Sequence, residues 1–175
     1  TYSIIESYTT LYKAIPEDTS KRIKKAIEKA AYFIAKGDLE EDHLANHHAM
    51  ACLAVWKAYR LLEDYNLLKA YKKLWKGFLD YHVSEEGWSR EYDGIDPGYL
   101  SATVSFLAKI YQDNQDQEIK EVCSSSIKTC SYFAYPNGFY GGSAGSRNTL
   151  HFYPHGFEIF GNSIPLAQSV AEKML

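Results

Sequence analysis

The chain has 175 residues, of which 46% are hydrophobic and 23% charged, and its formal net charge is -3. That length suits one domain able to bury about 70% of the surface its unfolded chain exposes. The charge leaves no surplus of Lys and Arg for a general nucleic-acid binder. No apolar run approaches the roughly 18 residues of a membrane span, and no signal-peptide pattern opens the chain.

Aromatic residues make up 15% of the chain, and 15 of them are tyrosines. Tyr packs like Phe but keeps a polar tip, so this wealth suits thick helix interfaces or a sugar-binding cleft. The three cysteines do not form a bridging pattern. Cys123 and Cys130 fall seven apart on one predicted helix, roughly 10 Å along its axis, and Cys52 sits among Ala and Leu as a small core residue. The compartment stays open. The chain opens on Thr1 and closes on Leu175 inside a helical pattern, so a fragment or processed form of a longer protein is expected.

In chain order, residues 1–13 are weakly helical. Pro16-Glu17-Asp18-Thr19-Ser20 signals a helix start, and Ile23, Ala26, Ile27, Ala30, Phe33 and Ile34 recur at helical spacing before Gly37. A second helix is predicted over 44–62 and a third over 66–83, broken by Ser84-Glu85-Glu86-Gly87. Asp96-Pro97 opens a fourth over 97–111, with Asp as cap and Pro in the first helical position. The fifth covers 117–134. Residues 138–161, with six of the eleven glycines, are expected as an extended or hairpin loop, and Ser163-Ile164-Pro165 starts a last helix.

Gly37, Gly87 and Gly138 each follow a predicted helix, at separations of 50 and 51. A helix pair of this length cannot bury both faces alone, so neighbouring pairs must stack. The Ala- and Ser-rich helices 44–62 and 97–111 should form an inner layer, and the Lys-bearing helices 20–36 and 66–83 an outer one. The expected fold is all-α: one domain over 1–175 of antiparallel helix hairpins, about three pairs, forming an incomplete (α/α) toroid or part of one. An open solenoid gives the same signal.

If the inner helices run the same way, their N-termini open on one end. Three polar clusters stand at those entries: His43, Asn46, His47 and His48; then Arg90, Glu91, Tyr92, Asp93, Asp96 and Tyr99; then Arg147, Asn148, His151, Tyr153, His155, Glu158 and Asn162. Free N–H groups and the helix dipole also favour an anion there, so an acidic ligand is expected.

Asn46-His47-His48-Ala49-Met50-Ala51, followed by Glu86-Gly87-Trp88 and Asp96-Pro97-Gly98-Tyr99-Leu100, resembles the heparinase II/III-like and alginate-lyase-like polysaccharide lyases over about residues 40–112. Such enzymes join an α/α toroid to β-sheet domains and cleave acidic polysaccharides by β-elimination. The resemblance implies Asn46 and His47 at one inner helix start and a catalytic Tyr99 at the next. It also implies further domains in a longer parent and no cofactor. The departures are that no β-sheet domain is present and that Asp96-Pro97-Gly98 is not diagnostic.

Elimination at a uronic acid needs its carboxylate neutralised, a base for the adjacent C–H, and an acid for the leaving oxygen. The expected assignment gives Asn46 with Arg90 or Arg147 as neutralisers, His47 as base and Tyr99 as acid or acid/base. His48, Trp88, Tyr92, His151 and His155 are expected to bind substrate. Each has a plainer rival: Asn46 as helix cap, one of His47 and His48 as packing, Tyr99 as packing, Asp96 as cap, and Arg90, Glu91 and Asp93 as a solvated charge run. Two other chemistries remain open. Glu91, Asp93, Asp96 and Glu158 could supply the carboxylate pair of a glycoside hydrolase. The pairs His43/His47 and His151/His155 have metal-ligand spacing if helical, although no supporting motif makes a metal site the expectation. A non-catalytic repeat binding glycan or protein is the alternative from another class.

Overall fold

A computed structural model describes residues 1–36, 44–141, 144–146 and 151–174. The helices are α1 (Tyr2–Leu11), α2 (Glu17–Ala35), α3 (Ala45–Leu62), α4 (Tyr65–Leu79), α5 (Pro97–Asn114), α6 (Gln117–Ser131), α7 (His155–Gly161) and α8 (Pro165–Met174). A two-stranded antiparallel hairpin, β1 (His82–Val83) and β2 (Trp88–Ser89), pairs His82 with Ser89 and Val83 with Trp88. The fold is all-α.

The helices stack as two rows. α3 packs on α1, α4 and α5, and α5 packs on α6 and α7. The inner row is therefore α1, α3, α5 and α7, with α2, α4, α6 and α8 behind it. Among the described residues four hairpins are formed, where about three were expected. The extra one arises because α7 lies inside the segment read as a loop from its glycines.

The repeat is tighter than the glycine spacing suggested. α3 and α5 both have 18 residues, α4 and α6 both have 15, and Ala45 to Pro97 and Tyr65 to Gln117 are each 52 positions. The turns match as well. Glu63 and Gln115 end the inner helices with φ of 56° and 54°, and the next residue caps the outer helix. Asp64 Oδ1 accepts from the Asn66 amide at 2.9 Å and Asp116 Oδ1 from the Glu118 amide at 2.9 Å. A left-handed residue followed by a capping Asp reverses the chain within two positions.

Burial follows the layers. In α3, Ala45, Ala49, Cys52, Leu53, Val55 and Ala58 are fully covered on several sides, as a helix with neighbours on either side and behind requires. In α4 only the stripe Leu67, Tyr71, Leu74, Trp75 and Phe78 is buried. The three cysteines are buried and free. α4 stops at Leu79, short of the Val83 expected, because His82 and Val83 pair with β2 instead of continuing the helix. Likewise α6 ends at Ser131 and not at residue 134. Gly37, expected to end α2, lies outside the described residues.

The inner helices run parallel. Trp56 Nε1 near the end of α3 donates to Asp113 Oδ2 near the end of α5 at 2.9 Å. Lys57 Nζ lies 3.1 Å from both that oxygen and Glu6 Oε1 of α1. Phe160 of α7 packs its ring, tilted, against that of Tyr111 of α5. One end of the inner row is thus tied by a Lys-carboxylate cluster, and the opposite end carries the N-termini of α3, α5 and α7. No helix among the described residues is long and apolar enough to cross a membrane.

Candidate functional site

The entry to α3 is capped from a distance. Its N-cap residue is Leu44, which contributes no side-chain cap bond. The orphan amides of the first turn go instead to the loop before α5. Ala45 N donates to the Arg90 carbonyl at 3.0 Å and Asn46 N to Glu91 Oε1 at 2.6 Å. Asn46 Nδ2 also donates to Glu91 Oε2 at 2.8 Å. Asn46 is therefore not the cap of α3; it occupies the second helical position and is gripped by Glu91.

Glu91 is 3% exposed, which rules out for it the plainer reading as part of a solvated charge run. Burial pushes its carboxyl up to about 7, with the charge of Asp96 adding to the rise and the two Asn46 bonds opposing it. Its backbone is fixed too. Glu91 N donates to Gly94 O at 2.8 Å and Gly94 N returns to Glu91 O at 3.0 Å, closing a two-residue turn through Tyr92 and Asp93, both left-handed at φ 49° and 67°. The turn presents Tyr92, half exposed, with its ring 6.4 Å from that of Tyr99.

Asp96 performs the capping expected of it. Oδ1 accepts from Tyr99 N at 2.9 Å, and Oδ2 accepts from Ser146 N at 2.6 Å. Glu91 and Asp96 thus spend their oxygens on amide donors, leaving Asp93 and Glu158 as the exposed members of the carboxylate set considered for a hydrolase. Tyr99 stands half-buried on the first turn of α5.

Asn46, His47 and His48 diverge, as consecutive positions on a helix must. Asn46 turns to the α5 entry. His48 stacks on Tyr81, just beyond α4, with ring centroids 4.5 Å apart. His47 lines a pocket of about 270 Å³ with Thr1, Tyr2, Ser3, Ile34, Met50, Ala51 and Ala54. Among the described residues that wall includes none of the Arg90–Tyr99 segment. Arg90 has an exposed side chain while its backbone bridges Tyr81 and Ala45. Trp88 is half-buried, its indole N–H donating to the Glu86 carboxylate.

The segment entering α7 is bound to α5 by two buried serines. Tyr153 N donates to Ser101 Oγ at 3.0 Å. Ser105 Oγ donates to Tyr153 O at 2.9 Å and accepts from Gly156 N at 3.1 Å. Gly98 brings α5 against the same segment: a β-carbon there would lie 3.1 Å from His151 O. This brings exposed His151 and Tyr153 beside the start of α5. His155 opens α7, and burial first, then Lys109, holds its pKa below the usual imidazole value, with Glu158 opposing. His151 precedes the helix that His155 begins, so the two do not share a helical face. His43, Arg147 and Asn148 lie outside the described residues. Among the described residues no group of three or more His, Cys, Asp or Glu could hold a metal ion.

Sequence reasoning did not single out Ser101 and Ser105, whose spacing of four on a helix of small residues was the available signal. It considered Glu91 as a hydrolase carboxylate or as part of a solvated charge run, not as a buried clamp on Asn46. Ser89 and Glu91 are buried and Arg90 exposed, a strand-like alternation that three polar residues do not announce in the sequence.

A double row of helices, its inner members parallel and with polar side chains at their shared N-terminal end, defines a helical-hairpin repeat domain. The chain belongs to the Ulvan lyase N-terminal domain family, whose model matches residues 1–154. It is a polysaccharide-lyase-like domain with a glycan as its partner class. The match does not single out the heparinase II/III-like or alginate-lyase-like branch. No curated protein and no solved structure matches the chain.

Proposed function

We propose that this domain serves β-elimination on an acidic, uronate-containing glycan, and that the N-terminal end of the inner row is where the polymer lies. Family membership over residues 1–154 is the observation that carries the reading. The hairpins are read as part of an (α/α) toroid whose hollow opens at that end.

In this reading Asn46, with Arg90 or Arg147, withdraws charge from the uronate carboxylate, which acidifies the neighbouring C–H. His47 takes that proton, for which its ring must swing out of the pocket that it lines beside α1 toward the α5 entry. The electron pair forms the C=C bond as the C–O bond to the leaving sugar breaks, and Tyr99 protonates the departing oxygen. Tyr starts near pKa 10, which suits it to be the acid, whereas service as base would need a nearby positive charge. Exposed Tyr92 and Tyr153 supply faces on which sugar rings can stack, and Trp88, His48, His151 and His155 complete the proposed substrate contacts.

The test uses the protein as it is naturally expressed, with ulvan, alginate and heparan as probes, following the ultraviolet absorbance of the unsaturated sugar end. Activity on one of them, lost in Tyr99→Phe with the fold retained, is the expected result. Silence across the whole panel sinks the reading. Reducing ends released without that absorbance would instead indicate hydrolysis.

A further inference from the structure

A helix start that needs only a cap is ordinarily served by its own N-cap residue, with Ser, Thr, Asp or Asn. α3 has Leu44 there. The capping oxygen comes from 45 positions away, from a carboxylate removed from water and placed near a second one, Asp96. Burying an acid in this way is costly, and the Asn46 main-chain N–H alone would not require it. What the arrangement adds is the second bond. Glu91 Oε2 takes one hydrogen of the Asn46 amide, which fixes the plane of that amide and the direction of its remaining N–H. The reciprocal bonds between Glu91 and Gly94 hold the clamp itself rigid.

We propose that Glu91 is a positioning residue for the elimination: by clamping Asn46 through both carboxylate oxygens, it holds the second Nδ2–H in one fixed direction for the substrate carboxylate. This rests on Asn46 acting as a neutraliser. Glu91 touches no substrate in this scheme and acts only through Asn46. Its partner from α3 is Asn46, the titratable group acting on it from the α5 entry is Asp96, and the neighbouring Arg90 side chain is exposed.

The experiment measures elimination by the naturally expressed protein on ulvan, or on whichever panel polymer it cleaves, for wild type, Glu91→Gln, Asn46→Ala and the double variant. Gln keeps an oxygen for the Asn46 main-chain N–H but turns an NH2 group toward Nδ2. The expected result is a kcat lower by about 10- to 100-fold for Glu91→Gln, as misplacement of a reacting group produces, with KM nearly unchanged and the melting temperature not lowered. The double variant should lose no more than Asn46→Ala alone. Wild-type kcat in Glu91→Gln beside an inactive Asn46→Ala overturns the proposal and leaves the lyase reading standing, as does additive loss in the double variant. Full activity in Asn46→Ala, or a wild type that cleaves nothing, removes the role of Asn46 and the proposal with it. If Glu91→Gln does not fold, Glu91→Asp retains the charge but shortens the reach, and the same kcat loss is expected. Loss that merely tracks the folded fraction in both variants would make Glu91 a structural cap and overturn the proposal.

Discussion

Gly156 lies against Val104 so closely that a β-carbon in its place would stand 2.8 Å from Val104 Cγ1 and 2.9 Å from the Ser105 amide nitrogen. The second contact is backbone in the middle of α5 and has no room to yield. α7 is only seven residues long, too short to be stable alone, so its presence depends on this approach. Gly156→Ala should therefore cost about 1–3 kcal/mol, the usual range for overpacking. Chemical denaturation measures it. A loss within 0.3 kcal/mol (roughly the additivity error of such measurements) would mean that α7 can shift at no penalty.

Ser105 tests the same joint from its polar side. Its hydroxyl serves the Tyr153 carbonyl and the Gly156 amide together, and both groups lie where α7 meets α5. Ser105→Ala leaves these two groups without that partner, at an expected cost of about 1–3 kcal/mol. Amide hydrogen exchange at Gly156 should quicken before exchange in α3 does. Equal protection in the variant would show that water replaces the hydroxyl.

What sequence revealed and what it hid divides along the distance between partners. Asp96-Pro97 could be read directly, because a cap and its amide are three residues apart. The α3 and α5 helices were legible from Ala- and Leu-rich periodicity, and the inner and outer rows from which helices carry Lys. α7 was not legible: seven residues in a Gly-rich stretch give too few turns for periodicity, and a serine pair about 50 positions earlier fixes it. The fate of Glu91 was hidden for the same reason. A carboxylate between Arg90 and Tyr92 looks solvated until Asn46 arrives from another hairpin. The divergence of Asn46, His47 and His48 followed from helical geometry, but which neighbour each would meet did not.

The three thiols should be silent in the native state. Burial pushes Cys52 and Cys130 up to about 12 and raises Cys123 as well, so no thiolate is available to attack a reagent near neutrality. In excess aromatic disulfide reagent at pH 7.5, modification should proceed at the rate of opening and rise to three equivalents in denaturant. One equivalent reacting within seconds under native conditions would contradict the burial of that cysteine.

The raised carboxyl of Glu91 has a thermodynamic consequence of definite sign. The ordinary carboxylate value is 4.5 and the folded value is about 7, so between those limits the folded protein retains a proton that the unfolded chain has released. Stability linked to this group is fully present below pH 4.5, declines as pH rises through the window, and is level above pH 7. The span corresponds to on the order of 3 kcal/mol at most. Glu91→Gln cannot titrate, so the difference in unfolding free energy between wild type and variant isolates the effect, other groups cancelling. Denaturant titrations at half-unit steps from pH 3 to 8 should show a constant difference up to about pH 4, wild type then losing ground to the variant up to about pH 7, and a constant difference above it. A flat difference across that range would mean that water reaches Glu91 and that the carboxylate is not desolvated beneath Asn46. A difference of opposite slope would mean that the two Asn46 bonds outweigh burial, placing the folded value below 4.5.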